Sequence, residues 1–193
     1  MKPVGADEIL NLYDYEKVRP ARRQAVIALK TERRVAVGRY LSLVFENHET
    51  VWFQIQEMLR AERIVDEARI AEELEVYNGL LPRPGELAAT MFIEIGESSQ
   101  IKPVLDTLLG IDTGGHVRLE VGGTPIEGVF EAGHSDEELG KLSAVHFVRF
   151  ALPPTARRAF AESEVALVVD HPGDRGRTLL TPAVRRRLAE DLV

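Results

Sequence analysis

The chain has 193 residues, 45% of them hydrophobic, with no cysteine and a formal charge of -7. That length suits one domain able to remove about 70% of its unfolded surface from water. The missing cysteine excludes disulfides, iron–sulfur ligation, thiolate-bound haem and a cysteine nucleophile, so any metal would need His, Asp and Glu.

The amino terminus, MKPVGADEIL, lacks the apolar stretch of a secretory signal, and the longest aliphatic run, VALVV, is far shorter than the ~20 residues that span a bilayer. The expected location is cytoplasmic, with no membrane partner. The acidic total argues against nonspecific nucleic-acid binding, which phosphate neutralisation drives. The charge is uneven, however: residues 16–40 hold eight Lys/Arg against two Glu, and residues 46–75 hold nine Asp/Glu against three Arg. Mutual pairing or solvated faces explain this most simply, with a basic docking patch as the sharper reading.

In chain order, Pro20 and the following ARRQAVIALK predict a helix that starts at the proline and stops near Thr31. RRVAVGRYLSLVFE predicts extended chain, with Leu41, Leu43 and Phe45 on one face and a bend at Gly38. Asn47 is a good cap for a helix whose stripe is Val51, Trp52, Ile55, Met58 and Leu59. At 100° per residue, Glu62 falls at the centre of that apolar arc. A break near 62–66 follows, with Asp66 capping a second helix through Ile70, Leu74 and Tyr77 to Asn78-Gly79.

LLPRPG reads as a loop, LAATMFIEIG as a strand, and IKPVLDTLLG as a short helix ended by Gly110. HVRLEV and PIEGVFEA read as strands around the Gly122-Gly123 turn, and AVHFVRFAL as another. Pro154 opens a short helix, EVALVVD predicts a central strand, and Thr181-Pro182 begins a terminal helix. Helices early and strands late, without regular alternation, predict one α+β domain over 1–193 with a mainly antiparallel sheet; a subdomain boundary would fall near residue 83.

RRVAVG, FEN, QIQEMLRAE, YNGLLP, LAATMFIEI and AVHFVRF together resemble a bacterial domain family of unknown function, whose members are often encoded beside rubrerythrin-like proteins and iron–sulfur oxidoreductases of the heterodisulfide-reductase type. The resemblance covers nearly the whole chain, most specifically Arg33 to Ile95. It implies service to a peroxide-detoxifying or redox system and a redox protein partner, and it supplies no catalytic residue.

The leading candidate site is a polar pocket of Glu46, Gln54, Glu57, Arg60 and Glu62. A carboxylate aimed inward at position 62 needs compensation, for which Arg33, Arg34 and Arg39 are the counterions at hand. The competing reading is a buried network that fixes helix to sheet. Asp170 and His171, leaving an apolar strand at DHPGDRG, form a second candidate against the simpler reading of a turn.

A metal site is weakly supported. The lone Glu-x-x-His string, Glu131 to His134, sits in turn-like sequence, and no HExxH or EF-hand string occurs. Neither GxGxxG nor GxxxxGK[ST] is present, and no GxSxG elbow accompanies Ser98, Ser99 or Ser135. The Arg185-Arg186-Arg187 triplet reads as a solvated helix face, with Leu188 and Leu192 turned inward.

The expectation is therefore an accessory or binding protein of a redox or oxidative-stress system. The alternatives are a small-ligand binder or enzyme working through the pocket at 46–62, and a carboxylate/His metalloprotein. No cofactor is assigned, and the sequence admits a homodimer without a definite seam.

Overall fold

The computed structural model describes residues 1–133, 135–136 and 140–192. A 3-10 turn at Ala6–Glu8 leads into helix α1 (Leu12–Glu32), where Asn11 caps by accepting the Asp14 N–H at 3.0 Å. Pro20 therefore lies inside the helix and does not start it. Its ring removes the N–H that the Glu16 carbonyl would accept. Both residues are exposed, so water can serve that carbonyl and the helix continues.

Strands β1 (Arg34–Val37) and β2 (Leu41–Phe45) form a hairpin whose turn holds Gly38 at φ 66°. Helices α2 (His48–Ala61) and α3 (Glu67–Asn78) begin at the two caps expected from the sequence. Asn47 Oδ1 accepts the Thr50 N–H at 3.0 Å, and Asp66 Oδ1 accepts the Arg69 N–H at 3.1 Å. α2 ends in a Schellman turn. The Arg63 N–H reaches the Arg60 carbonyl at 3.3 Å and the Ile64 N–H reaches that of Leu59 at 2.9 Å. Arg63 is left-handed at φ 53°, and Ile64 is buried in the same cluster as Leu59.

The remaining elements are β3 (Glu86–Ile93), a 3-10 turn at Ser98–Gln100, α4 (Ile101–Thr107), β4 (Val117–Val121), β5 (Thr124–Phe130), β6 (Ser135–Asp136), β7 (Lys141–Leu142), β8 (Val145–Ala151), α5 (Pro154–Ala159), β9 (Val165–His171), β10 (Asp174–Leu179), α6 (Pro182–Ala189) and a last 3-10 turn at Glu190–Leu192. The main sheet runs β1-β2-β3-β8-β5-β4-β9-β10, every pairing antiparallel, while β6 pairs with β7. The fold is α+β. β2 pairs directly with β3 across the loop at residue 83, so the sheet does not divide there.

β9 is flanked on both sides, by β4 and β10, as expected of a central strand, and one strand expectation needs correction. β10 begins within the DHPGDRG stretch read as a turn and continues through residues 177–179, for which no element was expected, because its inward positions, Asp174, Gly176 and Thr178, carry no apolar side chain and so give no hydrophobic alternation. Its composition answers to closure instead. A Cβ on Gly176 would lie 2.4 Å from the Gly38 nitrogen, and Asp174 accepts the N–H groups of Arg39 at 2.9 Å and Tyr40 at 3.0 Å. The sheet thus curls until its two edges meet.

Two cores result. Leu43, Phe45, Met91, Leu119, Phe150 and Leu167 fill the inside of the curled sheet, joined by Leu108, Phe160 and Leu188 from the helical segments. Tyr15, Val51, Trp52, Ile55, Leu59, Ile64 and Leu74 knit α1, α2 and α3 into a second cluster. β2 is buried on both faces, Leu41, Leu43 and Phe45 inward and Ser42 and Val44 outward. The alternation carries the next residue, Glu46, to the outward side.

Candidate functional site

Glu46 stands just beyond β2, where its N–H bonds the Ala88 carbonyl at 2.8 Å. Only 3% of the residue is exposed. Thr90 donates to Oε1 at 2.6 Å; Gln54 donates to Oε2 at 3.1 Å, and the Thr50 hydroxyl also bonds Oε2. Thr50 works twice, since it also accepts the Asn47 N–H at 2.9 Å in the α2 capping box. All three donors are uncharged, and among the described residues Glu46 makes no ion pair. Arg33, 1% exposed, holds the main chain at this point and not the carboxylate. Its Nε donates to the Phe45 carbonyl at 2.8 Å and its Nη2 to the Glu46 carbonyl at 3.2 Å, and it forms an ion pair with Asp191.

Above Glu46 opens a cleft of about 660 Å³, between the end of α3 and the outer side of β3, β8 and β5. Its walls are mainly apolar: Val76, Tyr77, Leu80, Val129 and Phe147. Val76 and Val129 are 68% and 65% exposed, which is unusual for valine and marks an open mouth. Arg149, Arg83 and Glu131 add charge. Arg149 is committed, because it donates to the Leu81 carbonyl at 2.9 Å and to Glu86 at 3.3 Å, and it also bonds the Gly79 carbonyl. It thereby closes the carbonyl end of α3, where a cation complements the helix dipole. Arg83 is exposed and makes no ion pair among the described residues.

The other sequence candidates separate. Gln54 joins Glu46. Glu57 turns to α1, where Arg19 grips it through Nε at 2.7 Å and Nη2 at 2.8 Å and the Tyr15 hydroxyl donates at 2.8 Å. The Arg19 bonds hold the Glu57 carboxyl below its usual pKa, while burial, then Glu57 itself, pushes the Tyr15 hydroxyl up. Gln54 and Glu57 flank only a shallow depression of about 310 Å³. Arg60 pairs with Glu16 at 2.5 Å.

Glu62 is the clearest correction. Its side chain is 57% exposed, and its nearest cation is Arg69 at 3.9 Å. The helical wheel fails because the helix ends at Ala61; the Schellman turn swings the chain away and returns Ile64 to the core in its place. None of the proposed counterions approaches Glu62. Arg33 pairs with Asp191, Arg34 bonds Ser42 at 2.9 Å and pairs with Glu94, and the Arg39 guanidinium lies over the Tyr40 ring at 5.0 Å.

Asp170 and His171 are neighbours on a strand and so point to opposite sides. Asp170, 59% exposed, pairs with Arg175 at 3.1 Å. His171 is buried, its Nδ1 accepting the Gly173 N–H at 3.0 Å and its Nε2 facing the Leu109 carbonyl at 3.1 Å. Burial lowers its pKa, and the neighbouring His116 ring, 4.7 Å away, adds to the effect. Inside the sheet, His146 Nδ1 lies 3.4 Å from Asp112, which also bonds the Ser135 hydroxyl. No group of three or more His, Asp or Glu among the described residues could hold a metal ion. The Glu131–His134 string lies partly outside the described residues, which exclude His134.

The sequence reading missed Thr50, Thr90 and Tyr77. Thr50 was legible, because an Asn-x-x-Thr capping box with Glu immediately before it puts a hydroxyl next to that carboxylate. Thr90 was not: it reaches Glu46 only through the β2–β3 register, which pairs Val44 with Thr90.

The profile of a family described as "Protein of unknown function (DUF3501)" matches residues 3–192. The chain belongs to the DUF3501 family. A DUF3501-like fold is also seen in a solved structure described as a novel protein of unknown function from Burkholderia pseudomallei K96243. It is 34% identical, with a TM-score of 0.91 and full coverage of both chains. None of the curated proteins matches the chain. Among the described residues, no helix of this DUF3501 chain is long and apolar enough to cross a membrane.

Proposed function

We propose that this DUF3501 protein acts by binding, and that its working site is the cleft over Glu46. The observation that carries the reading is a concave, mostly apolar space of about 660 Å³ with a buried carboxylate at its floor. That combination, apolar walls with a few fixed polar groups, is what small-ligand sites commonly offer. The site keeps Glu46 and Gln54 from the sequence pocket and replaces Glu57, Arg60 and Glu62 with Thr50, Thr90, Tyr77 and Arg83.

The accessory role, serving a bacterial redox or oxidative-stress system in the cytoplasm through a protein partner, rests on the family resemblance. The outward side of α1, with exposed Tyr13 and Ile27 flanking Arg23, gives such a partner apolar and basic surface to meet.

The test is methyl-detected NMR with a fragment library. Fragments should move Val76, Leu80, Ala88 and Val129 together, and Val129→Trp, which fills the mouth, should abolish the response. Shifts confined to other surfaces, or insensitive to Val129→Trp, would overturn the assignment.

A further inference from the structure

We propose that the cleft selects a cationic ligand: a primary amine, carried as its ammonium on an apolar or aromatic body, that pairs with Glu46. This rests on the binding reading above and adds the ligand's charge and shape.

The carboxylate supplies the charge argument. A buried ionised carboxylate costs several kcal/mol unless it is paired or well hydrogen-bonded, and proteins usually bring a Lys or Arg to it. Here the cations around the strand, the helix and the cleft are spent elsewhere. Arg33 binds the Phe45 and Glu46 carbonyls and Asp191, Arg60 binds Glu16, and Arg149 binds Glu86 and the end of α3. Glu46 is left with three neutral donors.

Those donors are unevenly placed. Oε2 takes the hydroxyl of Thr50 and the amide of Gln54, while Oε1 takes Thr90 alone. A carboxylate offers about four acceptor positions, two on each oxygen, so Oε1 keeps one position for an incoming N–H. An ammonium there would supply both the missing bond and the missing charge, and a charge-assisted bond is about twice as strong as a neutral one.

The walls supply the shape argument. Tyr77 and Phe147 put aromatic surface around the cleft, with Val76, Leu80 and Val129 completing an apolar sleeve. Aromatic faces attract cations as well as apolar bodies. The charges beside them, Arg83 and Glu131, make no ion pair among the described residues and are one of each sign, so they roughly cancel and the floor decides the preference.

The experiment compares phenethylamine, phenethyl alcohol and hydrocinnamate at neutral pH. Calorimetry gives the affinities and NMR locates the contacts, on the full chain and on Glu46→Gln and Val129→Trp. The amine should bind about tenfold or more tighter than the alcohol, with hydrocinnamate weakest. Glu46→Gln, which keeps the side chain's shape, should collapse the amine-to-alcohol affinity ratio to about one. Val129→Trp should weaken both.

If amine and alcohol bind the cleft equally, or the amine ignores Glu46→Gln, the cation preference is overturned and the binding reading survives. If none of the three moves a cleft residue, both are overturned. Should Glu46→Gln fail to fold, the amine-to-alcohol ratio on the unaltered chain decides the matter alone.

Discussion

Removing the Asp174 carboxylate should loosen the closure of the sheet. Asp174, 7% exposed, accepts the Arg39 N–H at 2.9 and 3.0 Å and the Tyr40 N–H at 3.0 Å, and these bonds tie the β1–β2 turn to the start of β10. Hydrogen bonds to a charged group contribute about 1.5–3 kcal/mol each when buried. The Arg39 and Tyr40 amides are partly reached by water, which discounts the sum. Asp174→Ala should therefore cost about 2–4 kcal/mol, a fall in melting temperature of about 4–16 °C for a chain of this size. Asp170→Ala is the matched control, since that exposed pair with Arg175 should contribute less than about 1 kcal/mol. Urea denaturation followed by circular dichroism reads both. Equal losses for the two variants, or a loss under about 1 kcal/mol for Asp174→Ala, would show that glycine packing closes the sheet without the carboxylate.

Arg63→Gly should stabilise the protein by about 1 kcal/mol, read as a higher urea midpoint, because Arg63 adopts a left-handed φ of 53° that glycine takes at no steric cost. Pro20→Ala should raise the melting temperature, since an interior helical proline costs up to about 3 kcal/mol relative to alanine. His171 should make stability pH-dependent. Its folded pKa is depressed below 6.5, so the unfolded chain binds the proton first; stability is full above 6.5 and falls as the pH drops through the folded value. Denaturation midpoints from pH 7.5 to about pH 5 should fall more steeply for the unaltered chain than for His171→Gln.

The fold was legible where the signals were local. Asn47 and Asp66 announced their helices because capping is a contact within one turn, and β2, β3, β8 and β9 announced themselves through apolar content. What escaped depends on partners distant in sequence. α1 runs through Pro20 because both the ring and the carbonyl it orphans face water, which no propensity shows. β10 is built of residues chosen to fit against Gly38 and the β1–β2 turn, so it reads as a loop until that neighbour is present.

The site was half legible for the same reason. Of the polar residues singled out between 46 and 62, Glu46 and Gln54 do meet. The wheel then assigned the buried acid to position 62 by assuming that the helix continued, whereas a left-handed Arg63 ends it first. The acid that is buried belongs to the strand, where alternation past Val44 carries Glu46 under the helices. Its threonine partner on β3 and its cleft on the far side of α3 come from tertiary pairing alone.

The most direct test follows the side-chain carboxyl carbon of Glu46 by ¹³C NMR while phenethylamine is added, with Glu57 and Glu62 as internal references. The Glu46 resonance should move to saturation in step with the cleft methyl groups, while Glu57, held by Arg19, and Glu62, in solvent, stay in place. A silent Glu46, or equal drift of all three, would contradict the claim that this buried acid is the group the protein uses.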